Sequence, residues 1–160
     1  MTTSPAAPDA PAQLEASIEI DAPPAAVWAL VSDPRRMAAW SPQVVRSFVR
    51  GGPTALGTTF VNINHRGLLH WPTQAKVVRF TPESDFAWRI KENRTIWSFT
   101  LAPTATGGTT LTQRRETPQG ISTLSNRMVG IAMGGITTFV GELDAGMHQT
   151  LERIKADAEG

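Results

Sequence analysis

Residues 135–158, GITTFVGELDAGMHQTLERIKADA, place Ile136, Val140, Leu143, Met147, Thr150 and Ile154 at spacings of four and three, and Phe139, Gly146 and Leu151 widen the stripe. That period is the signature of an amphipathic helix. Glu142, Asp144, Glu152, Arg153 and Lys155 fall outside the stripe. A single long helix must bury its apolar side against something, and the chain before it, from residue 44 to 117, reads as strand after strand. The partner that fits is the concave face of a curved antiparallel sheet, an arrangement that leaves a cavity between sheet and helix. Just upstream, Leu124, Met128 and Ile131 repeat the helical spacing. Gly134-Gly135 then breaks the phase and costs about 1 kcal/mol of helix propensity per glycine relative to alanine. A bend is expected there, with the section before it as a movable edge of the cavity. Ser122, Thr123 and Ser125 read as a helix start.

At the other end, Leu14, Ala16, Ile18 and Ile20 alternate with Glu15, Ser17, Glu19 and Asp21, the period of two of a strand with one buried face. Pro23-Pro24 suits the first turn of a short helix carrying Val27, Trp28, Leu30 and Val31. Asp33 as N-cap and Pro34 as first helical residue predict a second short helix over Pro34 to Trp40, stopped by Ser41-Pro42. Gly51-Gly52-Pro53, Gly57, Gly67, Thr81-Pro82, Glu92-Asn93 and Gly107-Gly108 then cut out six further strands. They are expected at Val44 to Arg50, Thr58 to Arg66, His70 to Phe80, Phe86 to Lys91, Thr95 to Ala102 and Thr109 to Thr117. The expected fold class is α+β: a seven-stranded curved antiparallel sheet wrapped around a long C-terminal helix, with two short helices between strands 1 and 2.

A chain of 160 residues suits one domain, able to bury about two thirds of the surface it exposes when unfolded. Residues 1–12 are too poor in apolar side chains to offset their ordering entropy and read as a disordered tail, with a single domain over 13–158. The sequence has no cysteine, which removes disulfides, thiolate catalysis and zinc–thiolate sites. The net charge is +1 and the twelve arginines are spread along the chain, so a nucleic-acid groove is not expected. No predominantly apolar stretch reaches the ~20 residues that span a bilayer, and residues 1–12 lack the pattern of a secretory signal. The expectation is a cytoplasmic protein without a transmembrane segment, a monomer or homodimer, binding a small hydrophobic or aromatic molecule without a cofactor.

The order strand, two short helices, six-strand meander, long helix resembles the START/Bet v 1-like helix-grip (SRPBCC) superfamily, especially its bacterial polyketide cyclase/dehydrase-type members. The residues that carry the resemblance are Ile20-Asp21-Ala22-Pro23-Pro24 with Val27-Trp28, Asp33-Pro34, Trp40-Ser41-Pro42 and Gly57-Thr58-Thr59-Phe60. Asn64, Trp71, Phe86-Ala87-Trp88, Trp97, Gly108-Thr109-Thr110-Leu111-Thr112 and Thr150-Leu151-Glu152-Arg153-Ile154-Lys155 continue it. The match covers about residues 13 to 157. It implies the helix-grip fold; it does not single out a function, because the superfamily includes lipid carriers, hormone receptors and aromatase/cyclases.

The cavity needs a few polar groups to orient a ligand. On the last strand Leu111, Gln113 and Arg115 share one face, and the apolar Leu111 points that face inward. Arg115 then either enters the cavity, where it could bind a carboxylate or enolate, or pairs at the rim with Glu142 or Asp144. Asn62 and Asn64 share parity with Phe60, while the apolar Val61 and Ile63 share the opposite parity, so the pattern leaves the inward face of this strand open, with Asn64 as the candidate for the cavity. Trp71, Phe86, Trp88, Trp97 and Phe99 supply flat apolar walls, and Met128, Met133 and Phe139 a further apolar lining. His65, His70 and His148 have neither metal-ligand spacing nor a carboxylate partner in sequence, so no metal site and no catalytic residue is assigned. The leading reading is a carrier, sensor or storage protein. The alternatives are a polyketide aromatase/cyclase-dehydratase, which the resemblance implies, with Arg115 polarising a carbonyl, and a module that docks on another protein.

Overall fold

The computed structural model describes residues 13–118 and 136–160, with side chains from residue 140 onward in the second stretch. The tail of residues 1–12, the Gly134-Gly135 bend, the Ser122 helix start, Met128 and Met133 lie outside the described residues, as does the side chain of Phe139.

Seven strands form one antiparallel sheet: β1 Leu14–Ile20, β2 Val44–Val49, β3 Thr59–Arg66, β4 Leu69–Thr81, β5 Asp85–Ile90, β6 Ile96–Pro103 and β7 Thr109–Glu116. Their order is β1-β7-β6-β5-β4-β3-β2, so β2 through β7 form a meander and β1 closes onto β7. The expected strand bounds differ from these by one residue at most ends. Alternation decides which side of each strand is buried: Ala16 and Ile20 on β1, Phe60 on β3, Ala75 and Val77 on β4, Phe86, Trp88 and Ile90 on β5. Register shifts between Val44 and Arg46 and between Val77 and Arg79 interrupt the ladders. Extra residues of that kind bend a strand and increase local twist.

Between β1 and β2, α1 (Pro24–Val31) starts with Pro in its first turn and buries Val27 and Val31. The second predicted helix resolves into a 3₁₀ turn, Pro34–Arg36, and a single α-turn, α2 (Met37–Trp40). Asp33 caps it as expected, accepting from the Arg35 N–H at 3.1 Å. The C-terminal helix, α3 (Ile136–Glu159), buries Leu143, Met147, Thr150, Leu151 and Ile154, the stripe read from the sequence. Truncating a fully buried residue of this stripe, such as Leu151 to alanine, is expected to cost about 2–5 kcal/mol.

Polar ties hold α3 in place at its C-terminal end. Trp40 Nε1–H donates to Asp157 Oδ2 at 2.6 Å, and Arg153 Nη1 donates to the Trp40 carbonyl at 3.1 Å. Lys155 Nζ donates to the Glu19 carbonyl at 2.8 Å, and Glu159 Oε1 accepts from the Asp21 N–H at 2.8 Å. The last two turns of α3 are thereby fixed to the end of β1 and to α2. None of the described helices is long and apolar enough to cross a membrane.

Candidate functional site

Between the buried face of the sheet and α3 lies a cavity of about 150 Å³. β3 contributes Asn62, Asn64, His65 and Arg66; β4 contributes Trp71 and Thr73; β5 and β6 contribute Trp88, Ile90 and Trp97; β7 contributes Gln113 and Arg115. Helix α3 supplies Glu142, Leu143, Gly146, Met147 and Thr150, while Met37, Ser41, Gln43 and Val44 close the side nearest α2. A void of this size holds roughly one aromatic ring rather than a long chain.

Among the described residues lining the cavity, Arg115 is the charged side chain that is buried. It is only 3% exposed, and its Nη1 has no hydrogen-bond partner among the described residues. Its neighbour on the same face of β7, Gln113, is 4% exposed and leaves Oε1 unpaired in the same way. Burial pulls the Arg115 guanidinium down to about 10, well below its ordinary value, so it remains charged at neutral pH at an energetic cost. Trp97, its register partner on β6, lies with its ring 5.9 Å from the Arg115 guanidinium carbon. The aromatic face offsets part of the lost hydration and holds the cation in position.

The rim pairing considered for Arg115 does not form. Glu142 is engaged by Arg66, whose Nε donates to Oε2 at 2.8 Å and Nη2 to Oε1 at 2.9 Å. This fork holds the Glu142 carboxyl below its ordinary range, chiefly through the hydrogen bonds from Arg66. Asp144 faces His148, with Oδ2 3.8 Å from Nε2 one helical turn away. His148 thus has the carboxylate partner that the sequence reading denied it, on the exposed side of α3.

Asn64 lines the cavity with its amide tied down, Nδ2 donating to Thr73 Oγ1 at 2.9 Å and to the Trp71 carbonyl at 3.3 Å. Asn62 is also buried, and its Oδ1 accepts from Ser47 Oγ at 2.5 Å. Its parity with Phe60 and Asn64 was the sequence signal for that position. Gln43 and the Arg66–Glu142 fork had no such signal, since they join residues 99 and 76 positions apart. Gln43 Nε2 donates to the Glu142 carbonyl at 3.3 Å and lies against Gly146, where an added Cβ would meet it at 3.1 Å.

Trp71, Trp88 and Trp97 form walls of the cavity, whereas Phe86 and Phe99 do not line it. Both phenylalanines are completely buried and pack against Trp88, with centroids 5.3 and 5.8 Å away. They support the wall from behind. His65 does line the cavity, and its Nε2 sits 2.9 Å from the Pro42 carbonyl. That contact assigns the proton to Nε2 and leaves Nδ1 as the ring's acceptor. The described residues contain no group of three or more His, Asp or Glu side chains arranged to hold a metal ion.

A sheet closed by one long helix, with a polar-accented cavity between them, defines a helix-grip protein. Residues 11–159 match the family described as polyketide cyclase / dehydrase and lipid transport, and the chain belongs to that family. The fold is similar to the solution structure of KanY protein, with 20% identity over 93% of this chain and 98% of that one, at a TM-score of 0.69. It is similar to the di-domain ARO/CYC StfQ from the steffimycin biosynthetic pathway, with 15% identity over 92% of this chain and a TM-score of 0.71. That alignment covers 50% of StfQ. It also resembles a Polyketide_cyc-like protein of Corynebacterium glutamicum, with 23% identity, coverage of 96% and 94% of the two chains, and a TM-score of 0.62. No curated protein sequence matches the chain.

Proposed function

We propose that the protein binds a small aromatic molecule bearing an anionic or strongly polarised oxygen, such as a ring carboxylate or phenolate. The observation that carries this reading is the pair of unpartnered buried atoms, Arg115 Nη1 and Gln113 Oε1, on one face of β7 beside the cavity. A buried donor without an acceptor costs about 1–3 kcal/mol, more when charged, and a ligand oxygen would relieve that cost. Gln113 Oε1 is suited to a donor on the same ligand, a hydroxyl or carboxylic proton. Trp71, Trp88 and Trp97 offer the ring its apolar surface. Carrier, sensor and storage roles all need only this binding step.

The test is a thermal-unfolding screen of the full chain with matched single-ring carboxylates and their uncharged amides. A carboxylate at a hundred times its Kd adds about 2.7 kcal/mol of stability. The expected result is stabilisation by the carboxylates and much less by the amides. Equal response to both members of each pair removes Arg115 as the recognising group.

A cyclase-dehydratase is the second reading, favoured by the family and by His65 in the same cavity. There His65 Nδ1 would take a proton from the carbon next to a substrate carbonyl, and the resulting carbanion would attack a second carbonyl. Arg115 would stabilise the alkoxide that forms and the proton would return to it; His65 would then take a second proton from the same carbon and pass it to the hydroxyl, whose C–O bond breaks as the C=C bond forms and water leaves. Glu142 is less suited to the base role, because Arg66 holds it in its ionised, weakly basic state. Turnover of a poly-β-carbonyl substrate, lost in His65→Ala while ring carboxylates still bind, would favour this reading over simple binding.

A further inference from the structure

The outer face of the sheet, opposite the cavity, carries a feature that the linear sequence hides. Arg50 follows β2 and its N–H donates to the Thr59 carbonyl; Thr59 pairs with Lys76, and Lys76 with Arg89. This register sets Arg50, Lys76 and Arg89 in one row across four strands. Lys91, whose N–H donates to the Gln74 carbonyl, belongs to the next row, and Phe48 lies in that same row through Val61. Together with Arg94 these cations line a cleft of about 660 Å³.

Two charges of the same sign directly opposite each other on neighbouring strands repel. Arg50, Lys76, Arg89 and Lys91 are exposed and form no ion pair among the described residues. The nearest acid in sequence, Glu92, accepts the Gln74 N–H at 3.0 Å from both oxygens and forms no ion pair with these four cations. Five of the fifteen Lys and Arg side chains of the chain line this cleft, leaving ten against fourteen Asp and Glu elsewhere. The near-neutral total therefore conceals a local excess of positive charge at this cleft.

Apolar side chains stand beside the cations. Phe48 is 49% exposed on the same outer face, and Leu56, 67% exposed, projects from the loop whose two ends are Arg50 and Thr59. We propose that this face docks on an anionic lipid bilayer, with the cations against lipid phosphates and carboxylates and with Phe48 and Leu56 entering the interface. Polybasic clusters combined with exposed apolar residues have the composition that anionic membrane surfaces attract. A single-stranded nucleic acid would need stacking platforms. The one exposed ring here, Phe48, is a single platform, and the Arg46 guanidinium 5.0 Å from its centroid adds a further cation beside it. A protein partner fits less well, since charged residues are depleted at the core of such interfaces, where this face carries its cations.

The test is flotation of the full chain with phosphatidylcholine vesicles and with phosphatidylcholine–phosphatidylserine vesicles. Binding is expected to the mixed vesicles only and to weaken with salt. Each cation removed should weaken it about fivefold, so Lys76→Gln with Arg89→Gln should lose roughly 25-fold. Phe48→Ser should also weaken binding, with no change in charge. Relief of the Lys76–Arg89 repulsion means the double variant should melt no lower than the parent, and Arg50→Gln with Lys91→Gln repeats the test should it fail to fold. Equal flotation with both vesicle types, or retention of binding by the charge variants, overturns the proposal. So does binding to duplex DNA that matches the vesicle affinity and is unaffected by Phe48→Ser.

Discussion

Arg115 shows how much a single position can state when its strand parity is clear. Leu111, Gln113 and Arg115 alternate with Thr110, Thr112 and Arg114, and all three of the first set are buried. What the alternation could not supply was the partner, because a carboxylate that would neutralise Arg115 could come from any element folded beside it. Glu142 is instead committed to Arg66 and Asp144 faces His148, so the cation is left to the cavity. The same limit applied to the aromatics: composition marked Phe86 and Phe99 as readily as Trp88, but only their depth puts the phenylalanines behind the wall. Another prediction at this scale concerns Trp40, 1% exposed, whose indole N–H meets Asp157 at 2.6 Å. Trp40→Phe keeps most of the packing and removes the donor, and urea denaturation should record a loss of about 1–2 kcal/mol.

At the level of elements, the Arg66–Glu142 fork joins the end of β3 to α3 beside the cavity. The carboxyl of Glu142 is held below its ordinary value, so the native state binds its proton less readily than the unfolded chain does. Its stabilisation is therefore complete above the usual carboxylate range and is lost as pH falls through the depressed native value. Glu159, depressed by Lys155 and the Asp21 N–H, behaves with the same sign at the far end of α3. Acid titration of the unfolding free energy should show a decline that is shallower in Glu142→Gln than in the parent; parallel curves would mean that the fork is not coupled to folding. The β6–β7 turn gives a second test. A Cβ at Gly108 would lie 2.6 Å from the Ile20 carbonyl oxygen, where the turn crosses the end of β1. Backbone cannot yield there as a side chain can, so Gly108→Ala should destabilise by about 1–3 kcal/mol in chemical denaturation.

For the whole molecule, the fold was legible because its determinants are local and periodic. A period of two in Leu14 to Ile20, turn residues at regular intervals, and spacings of three and four from Leu143 to Ile154 each select one element, and the single apolar stripe forces the sheet and helix together. The outer face was not legible. Arg50, Lys76, Arg89, Lys91 and Arg94 look scattered along the sequence, and only the register of β2 to β5 collects them into one cleft. The cavity lay between these cases, since parity put Gln113 and Arg115 on the inner face but left that of Asn64 open, while the closure by Gln43, Arg66 and Glu142 depends on contacts between distant segments.

The central claim, that the cavity recognises an oxygen anion through Arg115, is tested most directly by comparing the parent and Arg115→Leu in calorimetric titrations with one aromatic carboxylate and its methyl ester. The substitution keeps an apolar side chain in a buried position and removes the charge-assisted donor. The carboxylate should bind Arg115→Leu more weakly by about 1.5–3 kcal/mol, roughly 10- to 150-fold in Kd, with the ester bound equally by both proteins. An unchanged carboxylate affinity, or an equal loss for acid and ester, would contradict that claim.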